Sequence, residues 1–211
     1  MTSQLQYIRR CNLLVSKANG DGLDLGSLRV VFKIKKSDAQ TPNTAEIRVY
    51  NLSENTAKQI QKEFTQVTLQ AGYESNYGVI FAGNIKQVRM GRENGVETYI
   101  DIAAGDGDDA YNYAVVNTTL AAGAKQSDQI NAAAGAMSSK GVGKGYIGDT
   151  GGAALPRGKV MYGMARDYLR QSAESTDTTW SVQDGKLQVV SRTAVLPNQA
   201  VLLTSKTGLV G

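Results

Sequence analysis

The sequence contains no histidine among its 211 residues. Catalysis through a Ser-His-Asp or Cys-His arrangement is therefore excluded, and so are zinc sites that use a histidine ligand. Cys11 is the single cysteine, so no disulfide can form within the chain, which fits folding in a reducing compartment. No apolar run approaches the ~18 residues needed to cross a bilayer, and Met1–Gln6 lacks the features of a secretory signal. We expect a chain that is neither secreted by that route nor embedded in a membrane.

The sequence has few continuous runs of residues with the same charge. The 23 basic and 19 acidic residues are interspersed and leave a net charge of +4, which points only weakly to a polyanionic partner. The longest basic cluster, made by Lys33, Lys35 and Lys36, fits a solvated strand edge better than a nucleic-acid patch. Apolar residues are plentiful, at 41% of the total, so we expect a globular fold with a substantial core.

The first hundred residues carry strand patterns joined by short polar connections. Apolar and basic side chains alternate in Leu28–Lys35, which predicts a half-buried strand. Val79–Met90 is predicted as a strand with a bulge at Gly83, because the apolar residues change parity there. The dipeptide Asn94-Gly95 predicts a tight hairpin that leads into a second alternating strand.

One short helix interrupts these strands. Ser53 is a candidate N-cap, because its hydroxyl can accept a hydrogen bond from a free N–H group of the next turn. The helix is predicted over Glu54–Glu63, with Glu54 favourably placed toward the helix dipole. Its apolar positions are few, chiefly Ala57, Ile60 and the following Phe64, so we expect it to cover one edge of a core.

The second half of the chain mixes helical and strand patterns. Asp128–Met137 predicts a short helix, and residues 138–152 carry six glycines, which predicts an exposed, mobile loop. Apolar residues in Lys159–Ala173 recur at three- and four-residue spacing, which predicts an amphipathic helix. The dipeptide Asp184-Gly185 predicts a second hairpin.

These patterns predict an α+β fold that is rich in β-structure. We expect a β-rich module over residues 1–105, a mixed helix and small-sheet module over 106–198 with its glycine-rich loop at 138–152, and the start of a further strand or module at 199–211. The last residues carry neither a helix C-cap nor a polar tail. We therefore expect that the native chain is longer and that this sequence is a truncated form of it.

A cluster of three carboxylates is the first candidate for chemistry. Asp106, Asp108 and Asp109 could in principle chelate calcium or supply the acid and base of a glycosidase. The order of residues does not match an EF-hand loop, because no glutamate stands at its twelfth position. A turn between two structural units is the favoured interpretation, since aspartates this close in sequence are usually solvated turn formers.

The glycine-rich segment Gly141–Gly145 is the second candidate, because it includes a Gly-Lys pair like that of a phosphate-binding loop. Ser138 stands where the first glycine of such a loop is needed, and Gly145 replaces the Ser or Thr that would hold magnesium. We therefore interpret it as a plain loop. The sequence predicts no catalytic residue, no cofactor, no metal and no small-molecule substrate.

Several segments, taken in order, resemble one protein family. They are YIRRCNLLV, DLGSLRVVFKI, TPNTAEIRVYNLSENT, VTLQAGY, LPRGKVMYGMARDYLRQSA, TTWSVQDGKLQVV and LLTSKTGLVG. Each segment alone is an ordinary strand, cap or hairpin, whereas the ordered set, which spans most of the chain, is similar to the baseplate hub proteins of contractile-tailed bacteriophages.

The resemblance implies a structural, non-enzymatic protein of the virion tail baseplate, assembled in the host bacterial cytoplasm. It implies a homotrimer that joins the tail tube protein to the central spike protein, contacts other baseplate proteins and leaves a channel for transient DNA passage. Family members carry two β-rich, tube-like modules, each an antiparallel sandwich or barrel, so that a trimer presents pseudo-six-fold symmetry. They typically continue beyond the Gly-Leu-Val-Gly stretch, which implies that the second such module is only partly represented.

In a ring, the basic side chains on the polar faces of strands are candidates for the channel lining or for subunit contacts. If Lys33, Lys35 and Arg89 line the channel or a subunit interface, a weak positive potential meets the passing DNA. The functional need is passage rather than tight binding.

Two other functions stay open from the sequence. A polysaccharide-degrading baseplate enzyme could use Asp106 and Asp108 as its acid/base pair, and it would lose activity when either carboxylate became an amide. A nucleic-acid-binding module would show an affinity for DNA that falls steeply with salt.

Overall fold

The computed structural model describes residues 8–17, 20–74, 76–152 and 154–197. The strand or module predicted at 199–211 lies outside these residues. Within them the fold is the β-rich α+β arrangement that the sequence predicts, and none of the helices is both long enough and apolar enough to cross a membrane.

The described residues form twelve strands and four helices, numbered here in chain order. The first half contains β1 (Arg9–Ser16), β2 (Gly22–Asp24), β3 (Val30–Lys35), β4 (Thr44–Tyr50), α1 (Glu54–Glu63), β5 (Gln66–Tyr73), β6 (Asn76–Glu93) and β7 (Glu97–Gly105). The second half contains α2 (Asp108–Tyr113), β8 (Val115–Leu120), α3 (Gln126–Ser138), β9 (Gly143–Ile147), β10 (Lys159–Met164), α4 (Ala165–Ser175), β11 (Thr178–Gln183) and β12 (Lys186–Ser191).

Seven strands of the first half form one antiparallel sheet in the order β2-β1-β5-β6-β7-β4-β3. The two edge strands, β2 and β3, do not pair with each other in the described residues, so the sheet is open and is not a closed barrel. An open sheet leaves the backbone N–H and C=O groups of its edges available for another strand.

The long strand β6 joins the two halves of this sheet. Its first part pairs with β5 and its second part with β7, and the two pairings meet at Asn84. The register shifts at Ile80 and at Lys86, where one residue of β6 has no counterpart on the neighbouring strand. The bulge predicted at Gly83 is therefore wrong. Gly83 pairs regularly, and a Cβ atom there would lie 2.5 Å from the carbonyl oxygen of Gly105, so the glycine permits a close approach of two backbones.

Local signals place the turn and the helix of the first half correctly. The predicted hairpin at Asn94-Gly95 is present, and these two residues have the positive φ angles of a type I′ turn, 51° and 74°. Helix α1 has the predicted bounds, and the Ser53 side chain accepts a hydrogen bond from the Thr56 N–H at 3.1 Å. The apolar face of α1 packs on the sheet through Ala57 and Ile60.

One cluster of buried apolar side chains lies between α1 and the inner face of the large sheet. Ile47, Ile100 and Ile102 come from neighbouring strands β4 and β7, and each is about 1% exposed. Burying a side chain of this size contributes about 2 kcal/mol, so this cluster stabilises the first half of the chain. Cys11 is half-buried and packs at its margin. Besides Ala57 and Ile60 of α1, the remaining members are Leu13, Val15, Leu25, Ala45, Val49, Phe64, Val67, Leu69, Phe81 and Ala104.

A second buried cluster belongs to the second half of the chain. Strands β8 and β10 form an antiparallel pair, and β12 lies between β11 and β9 in a three-stranded sheet. Helices α3 and α4 contribute Ile130, Met137 and Leu169, while Trp180 of β11 is the largest fully buried side chain and stacks on Tyr111. The domain limits at residues 105 and 198 stay a prediction.

The glycine-rich loop predicted at 138–152 is partly wrong, because Gly143–Ile147 is strand β9 and pairs in parallel with β12. The absence of a side chain makes this pairing possible, since a Cβ atom on Gly145 would lie 2.7 Å from the carbonyl oxygen of Leu187. The parallel partner is more than 40 residues away in the chain, and the local sequence carries no signal for it.

The helix predicted over Lys159–Ala173 begins only at Ala165, because Lys159–Met164 is strand β10. Met161 is fully buried, whereas the flanking Val160 and Tyr162 are 73% and 75% exposed, which is the alternation of a strand. Strand β8, which lies too far back in the sequence for a local pattern to reveal, supplies the hydrogen bonds that decide the conformation.

Candidate functional site

The outer side of the large sheet, called the polar face below, carries the candidate residues. Alternation along β3, β4, β6 and β7 sends one set of side chains into the core and the other set to this face. Lys33 stands in register with Glu46, Ala103 and Gln87 on the neighbouring strands. The next row of the face contains Val31, Arg48, Asp101 and Arg89.

The centre of the polar face is a network of arginine, tyrosine and carboxylate side chains. Arg48 donates two hydrogen bonds to Asp101, at 2.6 and 2.9 Å, and its guanidinium lies 3.9 Å from the ring centroid of Tyr99. The Tyr50 hydroxyl donates to Glu93 at 2.9 Å. The hydrogen bonds that Arg48 donates to Asp101 raise the pKa of Arg48 above its already high ordinary value, so the arginine is always charged.

At one end of the face, Arg29 extends this arrangement to the edge of the sheet. Its guanidinium lies 4.4 Å from the ring centroid of Tyr50, and it is within 3.7 Å of Glu97. Each of the two arginines therefore combines an aromatic ring with a carboxylate. Such cation–π contacts contribute about 0.5–1 kcal/mol at exposed sites.

Lys33 and Arg89 line one shallow groove on the polar face, with a volume of about 540 Å³. They stand on β3 and β6, three strand spacings apart, which corresponds to about 14 Å across the sheet. Among the described residues neither of them forms an ion pair, in contrast to Arg29 and Arg48. The groove therefore contains two cations without an ion pair, and Glu46, which lines it beside Lys33, forms none either in the described residues.

The three residues predicted for the channel or an interface are thus partly brought together. Lys33 and Arg89 share the groove, while Lys35 lies on the same face but does not line it. The lumen or interface role of these residues stays a prediction. The sequence did not predict the pair of Arg48 and Asp101 that neutralises the centre of the face. Their contact requires that β4 and β7 be neighbours in the sheet, which the local pattern does not reveal.

The carboxylate cluster at the end of β7 is divided among separate partners. Asp106 is 1% exposed and accepts hydrogen bonds from the backbone of residues 184 and 185, while Asp108 forms an ion pair with Lys86 at 2.8 Å. Asp109 accepts from the Asn84 side chain at 3.2 Å. Among the residues that the structure describes, no group of three or more possible ligands could hold a metal ion.

Two opposing effects act on the carboxyl group of Asp106. Burial disfavours its charged form, while hydrogen bonds from Gly185 and Asp184 favour it. The burial effect is larger, so the pKa of Asp106 is raised above the ordinary value of an aspartate. The carboxyl joins the end of β7 to the β11–β12 turn. The predicted solvated turn is partly wrong, because only residues 106 and 107 form a turn, Asp106 is buried, and Asp108 and Asp109 begin helix α2.

The fold is similar to that of two known tail proteins. Over 89% of this chain it matches the 43 kDa tail protein of prophage MuSo2 from Shewanella oneidensis, with a TM-score of 0.61 and 8% sequence identity. Over 87% of the chain it matches the tail protein from Neisseria meningitidis MC58, with a TM-score of 0.58 and 12% identity. The matched regions cover 56% and 50% of those chains, so this chain spans about half their length. The sequence itself matches no known family model and no curated protein.

Proposed function

We propose that this chain is a structural subunit of a phage tail, and more specifically of the baseplate hub. The observation that carries the proposal is the shared fold, which extends over nearly nine-tenths of the chain to two tail proteins. The ordered sequence segments that resemble hub proteins support the same role independently. The function is assembly rather than catalysis.

The proposed assembly is a homotrimeric ring that joins the tail tube protein to the central spike protein and contacts other baseplate proteins. It forms in the host bacterial cytoplasm and becomes part of the virion tail. The open edges of the large sheet support this role, because β2 and β3 leave backbone groups unpaired within the described residues. A neighbouring subunit can satisfy such groups.

In this proposal the polar face borders either the channel or a subunit contact. Lys33 and Arg89 supply free cations there, and the Arg48–Asp101 pair keeps the centre of the face close to neutral. A face with few unpaired cations attracts the DNA backbone weakly, because each neutralised phosphate adds to affinity. Weak attraction suits DNA that must pass through without being retained.

Electron microscopy of the purified 211-residue chain tests the ring. We expect class averages that show an annular particle with three-fold symmetry and an open centre. Compact particles without a central opening, at concentrations where the chain is oligomeric, would be incompatible with the proposed hub.

The channel role of the cations has a separate test. Lys33→Glu combined with Arg89→Glu should weaken the binding of a short labelled DNA duplex at low salt, measured by fluorescence anisotropy. The matched control combines Lys62→Glu with Arg157→Glu, an exposed lysine and an exposed arginine elsewhere that undergo the same change in net charge. Equal losses in the two double variants would show that the polar face has no special role. DNA affinity that falls steeply with salt would instead favour a nucleic-acid-binding module, because the slope grows with the number of phosphates that are neutralised.

A further inference from the structure

The turn between β11 and β12 is clamped by two polar side chains that flank strands of the large sheet, Asn43 directly before β4 and Asp106 directly after β7. Asp106 and Asn43 are 1% and 3% exposed, which is unusual for polar groups, and both point at this turn. Buried polar side chains are tolerated when their hydrogen bonds are satisfied, so their contacts define what they do.

Asp106 holds the tip of the turn through both carboxylate oxygens. Oδ2 accepts from the backbone N–H of Asp184 at 2.7 Å, and Oδ1 accepts from that of Gly185 at 2.8 Å. Asp184 and Gly185 have φ angles of 52° and 76°, the left-handed conformation of a type I′ turn. Without the carboxylate, two N–H groups that now have an acceptor would lose it.

Asn43 holds the strand that enters the turn. Its Nδ2 donates to the carbonyl of Val182 at 3.2 Å and to Oε1 of Gln183 at 2.9 Å, while its Oδ1 accepts from the Ser37 N–H at 2.8 Å. Gln183 in turn donates through Nε2 to the Ser37 carbonyl at 2.7 Å. The backbone N–H of Asp106 donates to the carbonyl of Asn43 at 2.9 Å, which ties the two clamping residues together.

Charged and apolar contacts surround this network. Lys36 forms an ion pair with Asp184, and Lys140 lines a small cavity of about 150 Å³ beside Asp106. Gly107, at φ +67°, fits so closely that a Cβ atom would lie 2.8 Å from Cγ2 of Val142. The turn therefore has hydrogen-bonded, ionic and steric contacts on the side of the first half.

We propose that Asp106 is a latch that couples the two halves of the chain, so that both halves move and unfold as one body. The two halves have separate apolar clusters, and most other contacts between them involve partly exposed side chains. Asp106 is the buried group that joins the end of β7 directly to the hairpin of the second half. This inference goes beyond the proposed tail function and does not depend on it.

Calorimetry of the full 211-residue chain tests the latch. The wild-type chain should unfold in one transition, whereas Asp106→Ala should give two transitions, because the tip of the turn loses both of its hydrogen bonds to the end of β7. The matched control is Asp109→Ala, which removes an exposed carboxylate three residues away that also bridges the halves, through Asn84. The control should keep the single transition. A single transition in Asp106→Ala, whatever its midpoint, would overturn the proposal.

Amide hydrogen exchange supplies a second measurement that identifies the latch itself. In Asp106→Ala, the amides of Asp184 and Gly185 should exchange about tenfold faster or more, while those of Leu187 and Val189 in the same hairpin keep their protection. If Asp106→Ala does not fold, Asp106→Asn retains one acceptor and should release one of the two amides. Unchanged protection of both amides would refute the latch.

Discussion

Asp106 is the residue whose surroundings have the clearest consequence for pH. Burial raises its pKa in the folded chain above the ordinary value, while in the unfolded chain the group is solvated. The folded state therefore binds a proton more readily than the unfolded state does. Stability from this group is fully present below the ordinary aspartate pKa of about 4, and it is lost as the pH rises through the raised pKa.

We accordingly predict a pH-dependent difference between the wild-type chain and Asp106→Asn. The free energy of unfolding of the wild type, relative to that of the variant, should fall as the pH rises through this window, because only the wild-type side chain must lose its proton. Urea denaturation at a series of pH values measures the difference. Asp109→Asn serves as the control for an exposed carboxylate, and a pH-independent difference for Asp106→Asn would contradict the assigned environment.

Ser53 contributes to stability as the N-cap of α1. Its hydroxyl accepts from the Thr56 N–H, so Ser53→Ala leaves a backbone donor of the first turn without its cap. We expect Ser53→Ala to lower the free energy of unfolding by about 1 kcal/mol, measured by chemical denaturation. Ser53→Asp keeps an acceptor and should retain most of the stability. Equal losses in both variants would show that the cap is not what the serine contributes.

At the scale of the element, β6 is the strand on which the large sheet depends, because it pairs with β5 at one end and with β7 at the other. Gly83 lies where these pairings approach each other, and it leaves no space for a methyl group. Gly83→Ala should therefore destabilise the chain by about 1–3 kcal/mol, as overpacking does. The loss can be measured from denaturant midpoints.

The same strand provides the matched control for this prediction. A Cβ atom on Gly78 meets no other atom within 4 Å, so Gly78→Ala should be neutral or slightly stabilising. A loss in Gly78→Ala as large as that in Gly83→Ala would mean that the effect arises from strand propensity and not from the close approach to Gly105.

Elements defined by local signals could be predicted from the sequence. The cap at Ser53, the helix that follows it and the turns at Asn94-Gly95 and Asp184-Gly185 depend on residues close together in the chain. Strands β9 and β10 could not be predicted, because each is stabilised by a distant strand. The spacing of apolar residues in β10 also satisfies a helix, so the pattern alone could not distinguish the two.

The residues of the candidate site also fall into those that the local sequence predicts and those that it does not. Lys33, Lys35 and Arg89 could be assigned to polar sides of strands, because alternation is a local property. The network that joins Arg48 to Asp101 could not, since it requires that β4 and β7 be neighbours. Asp106 was recognised as part of a carboxylate cluster, but its burial depends on a hairpin nearly 80 residues later in the chain.

At the scale of the whole molecule, the described residues contain two apolar clusters and one open seven-stranded sheet. Asp106 connects the end of that sheet's strand β7 to the β11–β12 turn. The polar face is mostly neutralised by its own ion pairs, so we expect recognition between copies to depend on the unpaired edges and on exposed apolar side chains. Such a molecule suits a ring, in which each copy uses two different surfaces to contact its neighbours.

The mass of the chain in solution tests its proposed assembly into a ring most directly. Light scattering over a concentration series should give the mass of three 22.5 kDa chains, and the trimer should persist on dilution to the concentrations that the detector can follow. A mass of one chain at every concentration would contradict the proposed hub.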